Sequence, residues 1–148
     1  MKLFDKKNID FGMILTQHGL SKTSFRKILI ELFYTKKYSL SVDEIITNLS
    51  FPIDKVSVYR ALNAFERNGL IHKVPDMANL IRYALCQSEC SIEKHLHNHA
   101  HLLCSNCNET YCINDFKIPV VNEYKGFIID NLKIILEGSC VDCQQSYK

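Results

Sequence analysis

The sequence predicts an α+β fold in which a helical first half is followed by a second half of short strands. Apolar residues recur at helical spacing between residues 11 and 69, whereas short apolar runs bounded by turn residues dominate after residue 100. Two C-x-x-C pairs lie in the second half and bracket it. These observations indicate two small modules, the second of which is clamped by metal.

Four helices are predicted in the first half, over residues 11–19, 22–37, 42–49 and 55–68. Ser21, Ser41 and Asp54 are the predicted N-caps of the last three, because their side-chain oxygens accept from the first helical N–H groups. Glu44 lies three residues after Ser41 and is expected to complete a capping box. Glycines follow the first and the fourth helix and are expected to end them.

The fourth helix has one apolar and one exposed face. Val58, Leu62 and Phe65 recur at helical spacing and are expected in the core. On the other face, arginine and asparagine suit base edges, and a valine methyl group suits a thymine methyl. Considered alone, this face favours an ordinary solvated surface over DNA contact. The DNA-contacting residues predicted here are Lys55, Val56, Ser57, Tyr59, Arg60 and Asn63.

The chain after the fourth helix changes that balance. Residues 70–74 and 80–86 read as two strands joined by the turn sequence PDMAN. Three helices, an exposed fourth helix and a β-hairpin together predict a winged helix-turn-helix domain over residues 1–86, which binds double-stranded DNA. The charge is divided accordingly, with a net charge of +5 over residues 1–85 and −3 over residues 86–148.

The second half combines short strands with cysteine pairs. Residues 87–98 are polar, without a clear period, and read as a hinge. Strands are predicted over 101–104, 110–113, 127–130 and 132–137, and residues 120–125 form at most one or two helical turns. Cys104, Cys107, Cys140 and Cys143 have the spacing of a structural four-thiolate zinc site. The 32 residues between the pairs exceed the usual span of about 15–20 in a simple ribbon, so they must fold as a unit.

A run of alternating histidines precedes the first cysteine pair, at positions 95, 97, 99 and 101. Residues two apart in an extended segment point to one side, so His97, His99 and His101 are able to reach one metal ion together. His95 and Cys90 are read as hinge residues, and His18 is assigned no role. With no apolar stretch of signal-peptide or membrane-spanning length, we expect a cytoplasmic protein with no membrane partner, whose seven cysteines stay reduced.

Three segments of the chain resemble the ferric uptake regulator family of bacterial metal-sensing repressors. VSVYRALNAFERNGLIHKV is similar to the family's recognition helix and first wing strand, HNHAHLLCSNC to its H-x-H-x-x-C-x-x-C signature, and GSCVDC to its closing pair. The resemblance implies a winged-helix domain, a hinge and a zinc-bound α/β dimerisation domain, which we place at residues 99–148. It also implies a homodimer that represses metal-homeostasis genes when metal is bound. The helix of the dimerisation domain is much shortened here, so dimerisation is expected to depend mainly on strands.

The resemblance also bears on a regulatory metal site. The family's two sensor histidines match His99 and His101, and Cys86 and Cys112 stand at or near positions where the family has carboxylates. Thiolates favour zinc over Fe²⁺ or Mn²⁺. We therefore predict a zinc sensor with Cys86, His99 and His101 as ligands and one structural and one regulatory Zn²⁺ per chain. The fourth regulatory ligand is left open between His72, Cys112 and His97.

Several alternatives remain at this stage. His72 is equally suited to a DNA phosphate contact, and Cys112 to a strand core. The family's remaining sensor histidine has Ser39 in its place, and its third metal site is predicted to be absent because no histidine follows His101. Competing functions are an iron or peroxide sensor of the same family and a zinc-ribbon interaction module without DNA contact. An enzyme is not expected, because no general base adjoins the predicted ligands as H-E-x-x-H would place it.

Overall fold

The computed structural model of the chain describes residues 9–74, 80–86, 99–130 and 132–145. The predicted hinge over 87–98, with Cys90, His95 and His97, lies outside the described residues, as does the predicted wing turn over 75–79. The domain boundaries given above therefore stay predictions.

The structure confirms the α+β fold class. The helices are α1 (Phe11–Gln17), α2 (Ser24–Lys36), α3 (Val42–Asn48), α4 (Lys55–Arg67) and α5 (Val141–Gln145). The strands are β1 (Leu40–Ser41), β2 (Ile71–Val74), β3 (Arg82–Leu85), β4 (Ala100–Cys104), β5 (Thr110–Ile113), β6 (Glu123–Tyr124), β7 (Phe127–Ile128) and β8 (Ile135–Gly138). No helix in the described ranges is long and apolar enough to cross a bilayer.

Local capping chemistry sets the helix starts. Ser41 and Glu44 form the predicted capping box of α3, and the Asp54 carboxylate accepts from the Ser57 N–H at 2.8 Å at the start of α4. The prediction for α2 was wrong, because Thr23 caps this helix by accepting from the Arg26 N–H. The Ser21 hydroxyl instead accepts a hydrogen bond from the Arg26 guanidinium. The predicted cap, Ser21, lies two residues before the observed cap, Thr23.

The helices enclose the main apolar core. Val58, Leu62 and Phe65 are each fully buried, which confirms the predicted inner face of α4. They pack in one cluster with residues of α1, α2, α3 and the wing, including Leu15, Leu29, Ile30, Ile45, Ile71 and Tyr83. The core thus fixes α4 from one side and leaves its other side at the surface.

The wing is a three-stranded antiparallel sheet in the order β1-β3-β2. The predicted hairpin strands pair with His72 opposite Ala84, and β1 adds an unpredicted third strand with Leu40 opposite Tyr83. Arg82 on β3 is buried and donates to both carboxylate oxygens of Glu44, at 3.0 and 2.8 Å. This contact attaches the wing to the start of α3.

The second module contains the sheet β5-β4-β8, in which β4 pairs antiparallel with β5 and parallel with β8. The predicted strand over 110–113 is confirmed, whereas the strand predicted to begin at residue 132 begins at Ile135. The prediction of helical turns over 120–125 was wrong, because β6 and β7 form a hairpin there. Lys125 and Gly126 both have positive φ, which is the backbone of a two-residue hairpin turn.

Candidate metal centres and nucleic-acid interface

Four cysteines converge where β4, β8 and α5 meet. The sulfur atoms of Cys104, Cys107, Cys140 and Cys143 all lie within 4.8 Å of one another. Cys104 ends β4, and its parallel pairing with Gly138 of β8 brings the second C-x-x-C pair alongside the first. Donors about 2.0–2.3 Å from one ion at tetrahedral corners stand about 3.3–3.8 Å apart. The separation of 3.9 Å between the Cys107 and Cys140 sulfurs is close to this span, so the four thiols fit a zinc ion.

Hydrogen bonds make two of these thiols acidic. The Cys140 N–H donates to the Cys104 sulfur at 3.3 Å and is the main reason that the pKa of Cys104 falls to about 6. A contact with the Tyr111 hydroxyl, followed by the Cys143 N–H, lowers the pKa of Cys140. The neighbouring Cys140 sulfur raises the pKa of Cys143 to about 12, and burial raises that of Cys107. Ionising all four thiols therefore requires a cation that neutralises them.

A second cluster joins the wing to the second module. Ligand atoms of His72, His99, His101 and Cys112 all lie within 4.8 Å of one another. His72 comes from β2. His99 immediately precedes β4, His101 lies in β4, and Cys112 is opposite His101 on β5. The His72 Nε2 atom lies 3.6 Å from the Cys112 sulfur, a separation suited to two ligands of one zinc ion.

The histidines of this cluster pack against one another, and His99 is half-buried. His72 and His101 are buried, and the ring centroids of His99 and His101 are 4.7 Å apart. Burial lowers the pKa of His99, which favours the neutral imidazole that coordinates metal. Three imidazoles and one thiolate are a donor set suited to zinc.

Cys86 lies beside this cluster. Its sulfur is 3.6 Å from Nδ1 of His72, the ring nitrogen opposite the one that faces Cys112. The structure therefore brings together four of the predicted sensor candidates, with Cys86 in contact with one of them. His97 lies outside the described residues.

A direct contact between the two modules lies next to the histidine cluster. The Ser39 N–H donates to the Thr110 carbonyl oxygen at 2.9 Å, and the rings of Tyr38 and Tyr111 meet edge to face. Ser39 also accepts from Arg82, through both its hydroxyl and its carbonyl oxygen. Ser39 thus makes a hydrogen-bonded link between the modules that was not predicted.

The outward face of α4 carries the residues predicted to contact DNA. Val56 and Tyr59 are 58% and 43% exposed, and Arg60 and Asn63 are also exposed. Apolar and aromatic side chains at the surface of a basic module are suited to base methyl groups and edges. The face is continuous over the first two turns of the helix.

Two of the predicted contact residues already have partners within the protein. The Lys55 ammonium forms a 2.6 Å ion pair with Asp43, and both side chains are largely exposed. The Ser57 hydroxyl donates to the Asp54 carboxylate at 2.6 Å. An exposed ion pair of this kind is weak, so Lys55 is able to exchange Asp43 for a phosphate.

Comparison with known proteins identifies the family. The profile of the ferric uptake regulator family matches residues 17–134, which is well over half of the chain. The chain belongs to this family. The resemblance recognised in the sequence is thereby confirmed.

Curated relatives of the family are similar at low identity. The transcriptional regulator FurA of Mycobacterium tuberculosis is 24% identical over 98 residues, which cover 64% of this chain and 61% of FurA. The chain thus spans less than two thirds of that relative's length. The ferric uptake regulation protein of Campylobacter jejuni is 23% identical over 145 residues, covering 90% of this chain and 85% of that protein.

Solved structures of the ferric uptake regulator family share the fold. The ferric uptake regulator of Vibrio cholerae has a TM-score of 0.59 at 23% identity and covers 88% of this chain and 100% of its own. A zinc uptake regulator complexed with zinc and DNA has a TM-score of 0.61 at 19% identity and covers 91% of both chains. At these identities the likeness concerns the fold alone.

Proposed function

We propose that the chain is a zinc-responsive, DNA-binding transcriptional repressor that acts as a homodimer. Zinc would occupy a structural site of four cysteines and a regulatory site formed by His72, His99, His101 and Cys112. The observation that carries this proposal is the convergence of His72, from the wing, with ligands from β4 and β5 of the second module. A ligand cluster that spans two modules suits a switch better than a purely structural role.

The donor set supports zinc over iron. The four residues that converge are three histidines and a cysteine, without a carboxylate among them. Manganese and ferrous iron favour oxygen-rich sites, whereas imidazole and thiolate suit zinc.

The mechanism follows from where the ligands are attached. His72 lies on β2, which begins four residues after the last residue of α4, so its position is tied to that of the helix proposed to read DNA. Cys112 and His101 are neighbours across the β4–β5 pair. Zinc, when bound, supplies the attraction that holds these donors together. Keeping His72 against Cys112 narrows the range of angles between the modules and thereby favours the geometry that fits two DNA half-sites.

The direct link between the modules limits how far they separate without metal. The Ser39–Thr110 hydrogen bond and the Tyr38–Tyr111 contact do not depend on the histidine cluster. Zinc is therefore expected to add a moderate coupling free energy, in the usual range of about 1–3 kcal/mol, rather than to create the arrangement. By reciprocity, DNA binding must tighten zinc binding by the same factor.

Self-association is supported by apolar side chains at the surface of the second module. Val120, Tyr124, Phe127 and Ile128 are exposed, three of them on the β6–β7 hairpin. A two-stranded sheet is at best marginally stable in water unless another surface covers it. In a homodimer, a second copy of the chain would cover these side chains.

The proposal is tested by measuring DNA binding with different metals. A DNA fragment is first selected from a randomised pool by the zinc-loaded chain, and its affinity is then measured with Zn²⁺, with Mn²⁺ and, anaerobically, with Fe²⁺. We expect Zn²⁺ to raise affinity at a lower free concentration than the other two metals. A stronger response to Fe²⁺, lost after peroxide treatment, would favour the iron or peroxide sensor. Absence of any salt-dependent DNA binding would favour an interaction module without DNA contact.

A further inference from the structure

We propose that a cleft beside α4 binds one phosphate group of the DNA backbone, with Arg26 and Arg60 supplying the positive charge. This inference rests on the DNA binding proposed above and extends it to a residue of α2. Arg26 does not belong to the face of α4 that the sequence singled out. Its role is to hold the DNA backbone, which positions the reading helix without carrying sequence information.

The cleft lies between the start of α2 and the first turns of α4. It has a volume of about 250 Å³ and is lined by Ser21, Thr23, Phe25, Arg26, Ser57, Arg60 and Ala61. Its lining contains two guanidinium groups and three hydroxyl groups but no carboxylate. Guanidinium and hydroxyl donors are the side chains that most often bind phosphate oxygens.

Arg26 is held in place before any ligand arrives. Its Nη1 atom donates to the hydroxyl of Ser21 and, at 3.4 Å, to the carbonyl oxygen of the same residue. Its backbone N–H donates to the Thr23 hydroxyl at 3.3 Å, which fixes the start of α2. A guanidinium carries five N–H donors in a planar fork, and the contacts with Ser21 use those of Nη1 alone. Because the side chain is already ordered, less entropy is lost when it binds a phosphate.

The carboxylate that contacts Ser57 of the cleft is engaged with α4. Asp54 accepts from the Ser57 N–H at 2.8 Å and from the Ser57 hydroxyl at 2.6 Å. These donors lower the pKa of Asp54, so it is charged, but its charge faces the N–H groups that begin the helix. The two arginines therefore make the net charge of the cleft positive.

The position of the cleft favours a backbone phosphate over a free anion. Arg60 lines the cleft and lies next to Tyr59 on the exposed face of α4. A helix placed in the major groove is flanked by the phosphates on both sides of that groove. In this arrangement Tyr59 and Val56 face the bases, while Arg60 and Arg26 approach the phosphates of the DNA strand at the edge of the groove.

The test compares two neighbouring charge removals in the full-length, zinc-loaded chain. Arg26→Gln removes a charge from the cleft. Lys27→Gln removes a charge one residue away, on a side chain that does not line the cleft and instead lies near Gly12 of α1. Affinity is measured for the selected DNA and for random DNA over a series of salt concentrations. Arg26→Gln should weaken both by the same factor and reduce the slope of log K against log salt by about 0.9 per chain.

Two further variants separate charge from folding. Arg26→Lys keeps the charge and should keep most of the salt slope while losing affinity, because lysine lacks the planar fork. Thr23→Asp keeps a good N-cap for α2 but adds a negative charge to the cleft, and should weaken binding to both DNAs. Equal losses for Arg26→Gln and Lys27→Gln, or unchanged binding for Arg26→Gln and Thr23→Asp, would overturn the phosphate site. If the unaltered chain binds neither DNA, the proposed function itself fails.

Discussion

The Nε2 atom of His72 and the sulfur of Cys112 lie 3.6 Å apart, although 40 residues separate them in the chain. The first belongs to the wing and the second to the strand that follows the first cysteine pair. The sulfur of Cys86 lies at the same distance from the other nitrogen of the His72 ring. His72 is thus held between two thiols, and the two thiols are expected to play different roles.

The first prediction separates these two cysteines. Cys112→Ala should abolish the regulatory zinc site, because it removes one of the four ligands that converge. Cys86→Ala should keep the site but weaken zinc affinity by about 10–100-fold, as loss of a group that orients a ligand does. Zinc affinity is measured by competition with a chromogenic chelator. If Cys86→Ala loses the labile zinc and Cys112→Ala retains it, the ligand set must be reassigned to Cys86.

The second prediction concerns the four-cysteine site. Cys104→Ser or Cys140→Ser should give a chain with an unfolded or monomeric second module, because structural zinc contributes folding free energy directly. Both residues are buried, so an unligated serine hydroxyl also has a desolvation cost. Sizing chromatography and circular dichroism measure the outcome. A normal dimer from both variants would remove the structural zinc assignment.

The elements that sequence reasoning recovered are those defined by neighbouring residues. The capping box of Ser41 and Glu44 lies within four residues, and the core face of α4 repeats over two turns. The β6–β7 hairpin also had a local signal, because glycine after Lys125 permits the paired positive φ values of a tight turn. The segment VVNEYK over residues 120–125 was instead predicted to form at most one or two helical turns.

The features that were missed depend on residues far apart in sequence. Strand β1 exists because Leu40 pairs with Tyr83, and Arg82 is held by Ser39 and Glu44, more than 35 residues away. Likewise, six sensor candidates were named from the sequence, but the grouping of His99, His101, Cys112 and Cys86 around His72 required the fold. The sequence shows which side chains are able to bind metal, whereas tertiary packing decides which of them lie close enough to bind the same ion.

The third prediction concerns DNA reading by α4. Tyr59→Ala should reduce affinity for the selected DNA by about 1–3 kcal/mol, with little effect on random DNA, because an exposed aromatic ring contacts bases. Arg60→Ala should weaken both DNAs and lower the salt slope, because Arg60 is proposed to contact a phosphate. A loss confined to the selected DNA would instead assign Arg60 to a guanine. Zinc content serves as the control and should not change in either variant. Unaltered affinity in both would exclude α4 as the reading helix.

The fourth prediction concerns the dimer. Ile128 is 83% exposed on β7, so Ile128→Glu should leave the fold of the chain unchanged while weakening self-association. The matched control is Ile81→Glu, which changes a 53% exposed isoleucine of the wing. Sedimentation velocity measures both variants over a range of concentrations. If neither substitution shifts the monomer–dimer equilibrium, the β6–β7 hairpin does not lie in the dimer interface.

The most direct test of the account is to measure DNA affinity as a function of the zinc bound per chain. The zinc-loaded chain is exposed to increasing concentrations of a mild chelator, and zinc content and affinity for the selected DNA are measured on the same samples. We predict two zinc ions per chain at the start, one of which is removed readily, and a loss of DNA affinity that follows that ion and returns when zinc is restored. Unchanged DNA affinity in the chain that retains a single zinc ion would contradict a regulatory role for the site around His72.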